Sequence, residues 1–221
     1  MIRSAKLIAL LGGLMLCGLS ANASIVYSNF TPGDNSSFTV FGFVVEGPDV
    51  HNIANIDQAA SFHVGSTIYD FTGVQLGIST TGPTPFDGTG PVDIEIASDA
   101  GGMPGATLLT LHTSSSTFGQ QTLSASGGSL VLDANTDYWV IMNGQGTFDG
   151  AFEQNSQGDN SPSAGRSGTP PGAWTLHAGE PNFAIQVDGR ALASTPEPGS
   201  IALLGGGVLA LLAGRRYRRN Q

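Results

Sequence analysis

The sequence predicts an all-β fold, a single β-sandwich or jelly-roll domain flanked by one short apolar helix at each end. Apolar and polar residues alternate, as they do in half-buried strands, in segments such as 92–96, 138–142 and 183–187. Clusters of Gly, Pro, Asp and Asn, which favour turns, separate these segments from one another. Helical periodicity is nearly absent between the two ends, so a helical or mixed fold is disfavoured.

The N-terminal segment, residues 1–23, has the three parts of a secretory signal peptide. A basic start, an apolar run and an A-x-A cleavage pattern follow one another at Arg3 and Lys6, at residues 7–19, and at Ala21, Ala23 and Ser24. We therefore expect cleavage between Ala23 and Ser24. A retained helix or membrane anchor is the alternative, but the apolar run is shorter than the roughly 20 residues that a membrane span needs.

The central body, residues 24–190, has the length of one domain. Its short alternating segments and frequent turns are typical of a β-sandwich or jelly roll. A β-solenoid is the second architecture considered, but no repeat of fixed period is present. The segments 80–90 and 154–173 are rich in Gly, Ser, Thr and Pro, which predicts surface loops.

The C-terminal residues form a second candidate targeting segment, which also has three parts. A linker at 191–200 contains Pro196, Glu197 and Pro198, and an uncharged apolar stretch follows at 201–214. As a helix this stretch would be about 21 Å long, which is short against a hydrocarbon core of roughly 30 Å. The tail at 215–221 holds four arginines, Arg215, Arg216, Arg218 and Arg219. Such a cluster stops transfer and stays cytoplasmic, so the body would lie outside, as the signal peptide also predicts.

These three parts, in this order, resemble the PEP-CTERM sorting domain of Gram-negative bacteria. The tripeptide Pro196-Glu197-Pro198 gives that domain its name, and Gly199–Leu204 is similar to the usual start of its helix. The resemblance implies export by the secretion machinery across the inner membrane and a transient membrane anchor. It also implies processing by an exosortase, a transpeptidase, and a final place at the cell surface or in the extracellular matrix. An ordinary tail anchor behind a proline-rich linker is the alternative.

The body itself resembles the exported domains called choice-of-anchor domains. Segments 94–109 and 130–139 are similar to their strand-turn-strand features, and 172–187 is similar to their last strand with its preceding tryptophan. The resemblance implies a sandwich fold and display at the cell surface. It supplies no catalytic residues.

Charge and cysteine content exclude several classes of protein. The net charge is −9, but the body alone carries two arginines and 16 carboxylates, a net charge of −14. Such an acidic surface argues against nucleic-acid binding, which needs Lys and Arg to neutralise phosphates. The single cysteine, Cys17, would leave with the signal peptide, so neither a disulfide framework nor a zinc ribbon is expected.

Calcium is the one cofactor that the sequence suggests. Asp133, Asn135 and Asp137 have the D-x-N-x-D spacing that begins a calcium-binding loop, and their oxygens are ligands that Ca²⁺ prefers. The rest of an EF-hand pattern does not follow them, so a turn between two strands is the alternative. The four histidines have no zinc-binding spacing.

Two further sets of residues suggest carbohydrate chemistry. Trp139 and Trp174 could stack on sugar rings as a binding platform, although large aromatic residues of a sandwich more often lie in the core. Asp93 and Glu95 could present a pair of carboxylates, as glycosidases require, on one strand face. A solvated sheet face is the alternative for these acids.

We therefore expect a non-enzymatic, exported protein of the cell surface or extracellular matrix, processed by an exosortase. The PEP-CTERM resemblance also implies a link to exopolysaccharide and biofilm. A carbohydrate-binding module is the alternative function, and a secreted polysaccharide hydrolase is the third.

Overall fold

The structure, a computed structural model, describes residues 23–31, 38–39, 41–50, 55–80, 90–115, 119–168 and 170–192. Thirteen β-strands and no α-helix occur in these ranges, so the predicted all-β class is confirmed. Within the same ranges, no helix has the length and apolar character needed to cross a membrane. The two predicted terminal helices and most of the predicted loop at 80–90 lie outside the described residues.

All strand pairs are antiparallel and join one sheet. The strands are β1 (Ala23–Ser28), β2 (Gly42–Glu46), β3 (Ile56–His63), β4 (Tyr69–Thr80), β5 (Gly90–Asp99), β6 (Pro104–Ser115), β7 (Gly119–Ser126), β8 (Val131–Leu132), β9 (Asp137–Gly144), β10 (Asp149–Glu153), β11 (Ser163–Ser167), β12 (Thr175–Leu176) and β13 (Ile185–Ala191). The main path runs β1-β13-β4-β10-β2-β3-β9-β5-β6. Strands β7 and β8 pair with β4, β11 pairs with β3, and β12 pairs with β11. A parallel β-solenoid is therefore excluded for the described residues, whereas the sandwich or jelly-roll label stays a prediction.

The sheet curls around one main core. Its cluster joins side chains from strands that are far apart along the path, including Leu76 of β4, Phe62 of β3, Ile94 of β5 and Val140 of β9. The alternation predicted at 92–96 is confirmed, because Val92, Ile94 and Ile96 are buried while the acids between them are not. Each large apolar side chain buried in this way stabilises the fold by about 1.5–3 kcal/mol.

A second apolar layer covers the outer face of β3, β9 and β5. It contains Trp139 and Ile141 of β9 together with Ala59, Ala97 and Ala164, and Trp174 packs against it. Strand β9 is consequently buried on both faces, which is why its sequence is a nearly continuous apolar run. Tyr138 and Trp139 are both buried, although these neighbours point to opposite faces of β9.

Part of the segment predicted as a surface loop is a strand. Residues 163–167 form β11, which pairs with β3 along its whole length. A Cβ atom at Gly165 would lie 2.6 Å from Oε1 of Gln58 and 3.0 Å from Nε2 of His177. The small residues that suggested a loop therefore allow close packing of a strand. Strand β13 also begins later than predicted, since Phe183 forms only an isolated bridge with Gln154.

Candidate functional site

Of the two predicted processing sites, the structure describes only two residues, Ala23 and Ser24. Ala23 and Ser24 begin β1, where they pair with Arg190 and Gly189 of β13. Ala21, the tripeptide Pro196-Glu197-Pro198 and the arginines at 215, 216, 218 and 219 lie outside the described residues. The structure therefore gives local geometry for the signal-cleavage bond and none for the sorting tripeptide.

The residues suggested for calcium form a tight turn between β8 and β9. Asn135 has a positive φ of 53°, and its N–H donates to the carbonyl oxygen of Gly65 at 2.8 Å. The backbone N–H of Asp133 donates to the Tyr138 hydroxyl at 2.9 Å, and Oδ1 of Asp137 lies 2.7 Å from Nδ1 of His63. Asn tolerates this left-handed conformation better than most residues, so the turn alone explains its presence.

The same turn lines a shallow groove with Asp99, so the structure does place Asp133, Asn135 and Asp137 beside one another. Among the residues that the structure describes, no three carboxylate, histidine or cysteine side chains are grouped so that they could hold a metal ion. The carboxylate of Asp99 is already occupied by donors, namely the backbone N–H groups of Gly101 and Gly102 and the indole of Trp139. Partial desolvation raises the pKa of Asp99, but these hydrogen bonds outweigh it and leave the pKa below its ordinary value.

The two tryptophans do not form an exposed platform. Trp139 is fully buried, and its Nε1 donates to Oδ1 of Asp99 at 2.9 Å. A buried indole has no face for a sugar ring, so the platform prediction is wrong for Trp139. Trp174 is half-buried against the second apolar layer, and the Arg166 guanidinium lies 4.4 Å from its ring centroid. The guanidinium occupies one face of Trp174 through a cation–π contact.

Arg166 also neutralises a buried carboxylate. Its Nε donates to Oδ2 of Asp57 at 2.7 Å, and the Asp57 side chain is only 1% exposed. Asn55 donates to the other oxygen at 2.9 Å. Burial raises the pKa of Asp57, and the hydrogen bond and charge of Arg166 counteract that rise only in part. Sequence reasoning missed this pair, because 109 residues separate its members.

The acids considered for hydrolysis are engaged across strands. Oδ1 of Asp93 lies 2.6 Å from Nδ1 of His112, and Oε2 of Glu95 accepts a hydrogen bond from Thr107 at 2.6 Å. Asp93 and Glu95 belong to β5, and both partners belong to β6. These contacts are the polar cross-strand pairs that stabilise the outer face of an antiparallel sheet.

A polar network centred on Asp159 ties β1 to the loop that follows β10. Oδ2 of Asp159 accepts a hydrogen bond from the Tyr27 hydroxyl. It also accepts hydrogen bonds from the side-chain amides of Asn29, at 2.9 Å, and Asn182, at 3.4 Å. Its Oδ1 accepts from the N–H and hydroxyl of Ser161 at 2.9 and 2.7 Å. Burial raises the pKa of Asp159, but the donors outweigh this effect, so its pKa lies below the ordinary value. Burial, with the adjacent Asp159, raises the pKa of Tyr27 far above its usual range.

We predict that Asp159→Asn lowers the free energy of unfolding by about 2 kcal/mol at pH 7, because an amide nitrogen would face donors that now meet a carboxylate. Because the folded-state pKa is depressed, this stability is present above about pH 4, the unfolded-state value, and is lost as the pH falls. Urea unfolding between pH 3 and pH 7 should therefore show a weaker acid dependence in the variant. Tyr27→Phe, which removes one donor, should lose about 1 kcal/mol. An unchanged acid dependence in Asp159→Asn would contradict the prediction.

Glu153, at the end of β10, is another buried carboxyl group. Its Oε1 accepts a hydrogen bond from the Ser79 hydroxyl, whereas its buried Oε2 has no hydrogen-bond partner among the described residues. Burial raises the pKa of Glu153, and the Ser79 hydrogen bond offsets only part of this rise. The protonated form is therefore favoured in the folded state more than in the unfolded state.

We predict that Glu153→Gln raises the Tm by a few degrees at pH 8 and leaves it equal or lower at pH 4. The wild-type carboxyl contributes stability below its unfolded pKa of about 4.3, and this is lost as the pH rises through the raised folded value. The amide does not ionise, so the variant lacks this loss. Thermal unfolding at both pH values measures the effect. Ser79→Ala, which removes the hydrogen bond to Glu153 and adds no charge, is the control. A Tm of Glu153→Gln below that of the wild type at pH 8 would count against a raised pKa of Glu153.

The segment after β13 was compared with known protein families. Residues 194–219 match the family model of the PEP-CTERM protein-sorting motif. The matched range contains the tripeptide at 196–198 and all four arginines of the tail. This motif implies sorting by an exosortase and a cell-surface or extracellular destination. A search of curated proteins found no match to the chain.

The PEP-CTERM motif follows the sheet directly along the chain. Strand β13 ends at Ala191, and the match begins at residue 194. The matched residues form a continuous stretch of the sequence and lie outside the described residues. The match concerns the C-terminal segment alone and assigns no activity to the β-strand body.

Proposed function

We propose that this chain is an exported, non-enzymatic protein of a Gram-negative cell surface or extracellular matrix. The observation that carries the proposal is the PEP-CTERM match at 194–219. In this proposal residues 1–23 are a signal peptide, 24–190 the displayed β domain, and 191–200 the linker with the sorting tripeptide. Residues 201–214 are a transient membrane helix, and 215–221 a basic cytoplasmic tail.

Several features of the body support a scaffold for display. Its net charge of −14 favours solubility through self-repulsion. The carboxylates of Asp93 and Glu95 are used in cross-strand contacts. The resemblance to choice-of-anchor domains supports the same role, because it concerns exported domains without known catalytic residues. A matrix function with exopolysaccharide and biofilm is the form of display that we propose.

Carbohydrate binding receives less support than display. Trp139 is buried, and a face of Trp174 is taken by Arg166. Calcium binding also receives little support, since the turn at 133–137 is explained by its own hydrogen bonds.

Transfer of the C-terminal segment to an unrelated protein tests the proposal. Residues 192–221 fused to an exported passenger should make that passenger an exosortase substrate, which is shortened and released from the membrane fraction. The matched control fusion carries Ala at positions 196–198, and the host is compared with its exosortase deletion. Equal processing of both fusions, or processing in the deletion host, would overturn the proposal.

A further inference from the structure

The predicted signal-cleavage bond lies inside a strand ladder of the folded body. Strand β1 begins at Ala23, and its residues pair with β13 as Ala23 with Arg190, Ser24 with Gly189 and Ile25 with Asp188. The Ser24 hydroxyl donates to the carbonyl oxygen of Gly189 at 3.1 Å. Both residues that flank the bond are thus held by β13.

The rest of β1, which is an edge strand, makes several contacts with distant parts of the chain. The N–H of Asn29, just after the strand, donates to the carbonyl oxygen of Ile185 at 3.1 Å, and the N–H of Ile185 donates to Oδ1 of Asn29 at 2.8 Å. The Tyr27 hydroxyl reaches Asp159. A Cβ atom at Gly189 would lie 2.8 Å from Val26, which shows how closely β1 and β13 approach one another. Opening β1 therefore requires loss of several long-range contacts together.

A signal peptidase needs the bond that it cuts to lie in a segment that is not paired with another strand. Proteins that bind extended peptides do so through backbone hydrogen bonds and pockets for alternate side chains, so the segment must be free to enter a cleft. In the described part of the chain, Ala23 lies against the body, where it lines grooves with Thr72 of β4 and with Arg190. Ala23 and Ser24 are exposed, but their backbone pairs with β13, so the bond between them cannot leave the ladder to enter a cleft while this pairing persists.

We propose that docking of β1 onto β13 closes the signal-cleavage site, so that cleavage has to occur before the body folds. This inference rests on the proposed function, because it takes Ala23–Ser24 as the bond that is cut. The partner of Ser24 lies 165 residues further along the chain. The ladder cannot form until β13, the last strand, has crossed the membrane, and pairing over such a separation is slow. The bond is open during translocation and becomes protected when the body folds.

Cleavage of the purified full-length precursor in detergent, with bacterial signal peptidase, tests this inference. A Gly-Gly-Ser-Gly-Gly-Ser spacer inserted between Ser24 and Ile25 moves the bond up to about 20 Å away from the ladder. It leaves Ile25 and all later residues of β1 in register. The matched control carries the same spacer between Gly179 and Glu180, in an exposed turn. A synthetic peptide of residues 12–30 reports the rate of the unprotected bond.

We expect the folded wild-type precursor and the control to be cut at least about tenfold more slowly than the spacer variant, since their bond reacts only when β1 opens locally. The spacer variant should approach the rate of the peptide. Equal rates for wild type and spacer variant, with normal cleavage of the peptide, would overturn this inference alone. Failure of the peptide to be cut between Ala23 and Ser24 would overturn both this inference and the signal peptide in the proposed function.

Discussion

Glu197→Ala is expected to leave the C-terminal segment uncut, so that residues 24–221 stay in the inner membrane of a host that processes the wild-type protein. Glu197 is the only carboxylate side chain between Asp188 and the C-terminus. Prolines on both sides narrow the backbone freedom of the residue between them, and Pro198 disfavours a helical conformation at Glu197. The linker at 191–200 therefore offers an enzyme one charged side chain, and alanine removes it. Cell fractionation with immunoblotting measures both the length and the location of the product.

Two controls separate recognition from a general disturbance of the segment. Glu197→Gln keeps the size of the side chain and removes its charge, so it should also abolish processing if the carboxylate is read. Thr195→Ala changes the residue just before the tripeptide and should be processed as the wild type is. Normal processing of Glu197→Ala would show that the PEP-CTERM match at 194–219 does not act as an exosortase signal in this chain.

The strands that the sequence predicted best are those in which apolar residues alternate with polar ones. In β5 the pattern of Val92, Ile94 and Ile96 follows the two-residue period of a strand, and the structure buries these three side chains. Such patterns are local, so they can be found without knowledge of the strand's partners.

The errors have one physical origin, which is burial by distant parts of the chain. Trp139 was considered for a surface platform, because alternation implies that one of two neighbours faces outward. The second apolar layer, with Ala164 and Trp174, covers that outer face. The strand at 163–167 was missed for a related reason, since its Gly and Ser residues have low strand propensity and pair with β3 across more than 100 positions in sequence.

The site residues also differ in whether a local sequence pattern predicts them. The sorting tripeptide and its arginine tail are a continuous motif, and the family comparison found the motif where the sequence predicted it. The Asp159 network and the Asp57–Arg166 pair join segments separated by more than 100 residues, with no local spacing to reveal them. An acidic residue in a Gly-Ser-rich segment was therefore read as a loop residue, although Asp159 anchors β1.

Arg166→Leu is expected to lower the free energy of unfolding by about 3–5 kcal/mol at pH 8, because it leaves a buried carboxylate without its partner. The Asp57 side chain is 1% exposed and that of Arg166 is 21% exposed, so little water can replace the guanidinium. The raised pKa of Asp57 shows that burial already disfavours its charged form, even beside Arg166. The destabilisation should therefore shrink as the pH falls and Asp57 becomes protonated. Urea unfolding followed by tryptophan fluorescence measures it.

Two further variants test whether the unpaired charge of Asp57 causes this loss of stability. Arg166→Leu combined with Asp57→Asn should recover most of the lost stability at pH 8, because no buried charge then lacks a partner. Arg190→Leu breaks a 3.0 Å pair with Asp70 whose side chains are 52% and 32% exposed, and it should lose less than about 1 kcal/mol. The loss of the Arg166 contact to Trp174 remains in the double variant, so its residual deficit measures that packing. If the double variant were as unstable as Arg166→Leu, the charge of Asp57 would not be the cause, and stacking on Trp174 would be the main role of Arg166.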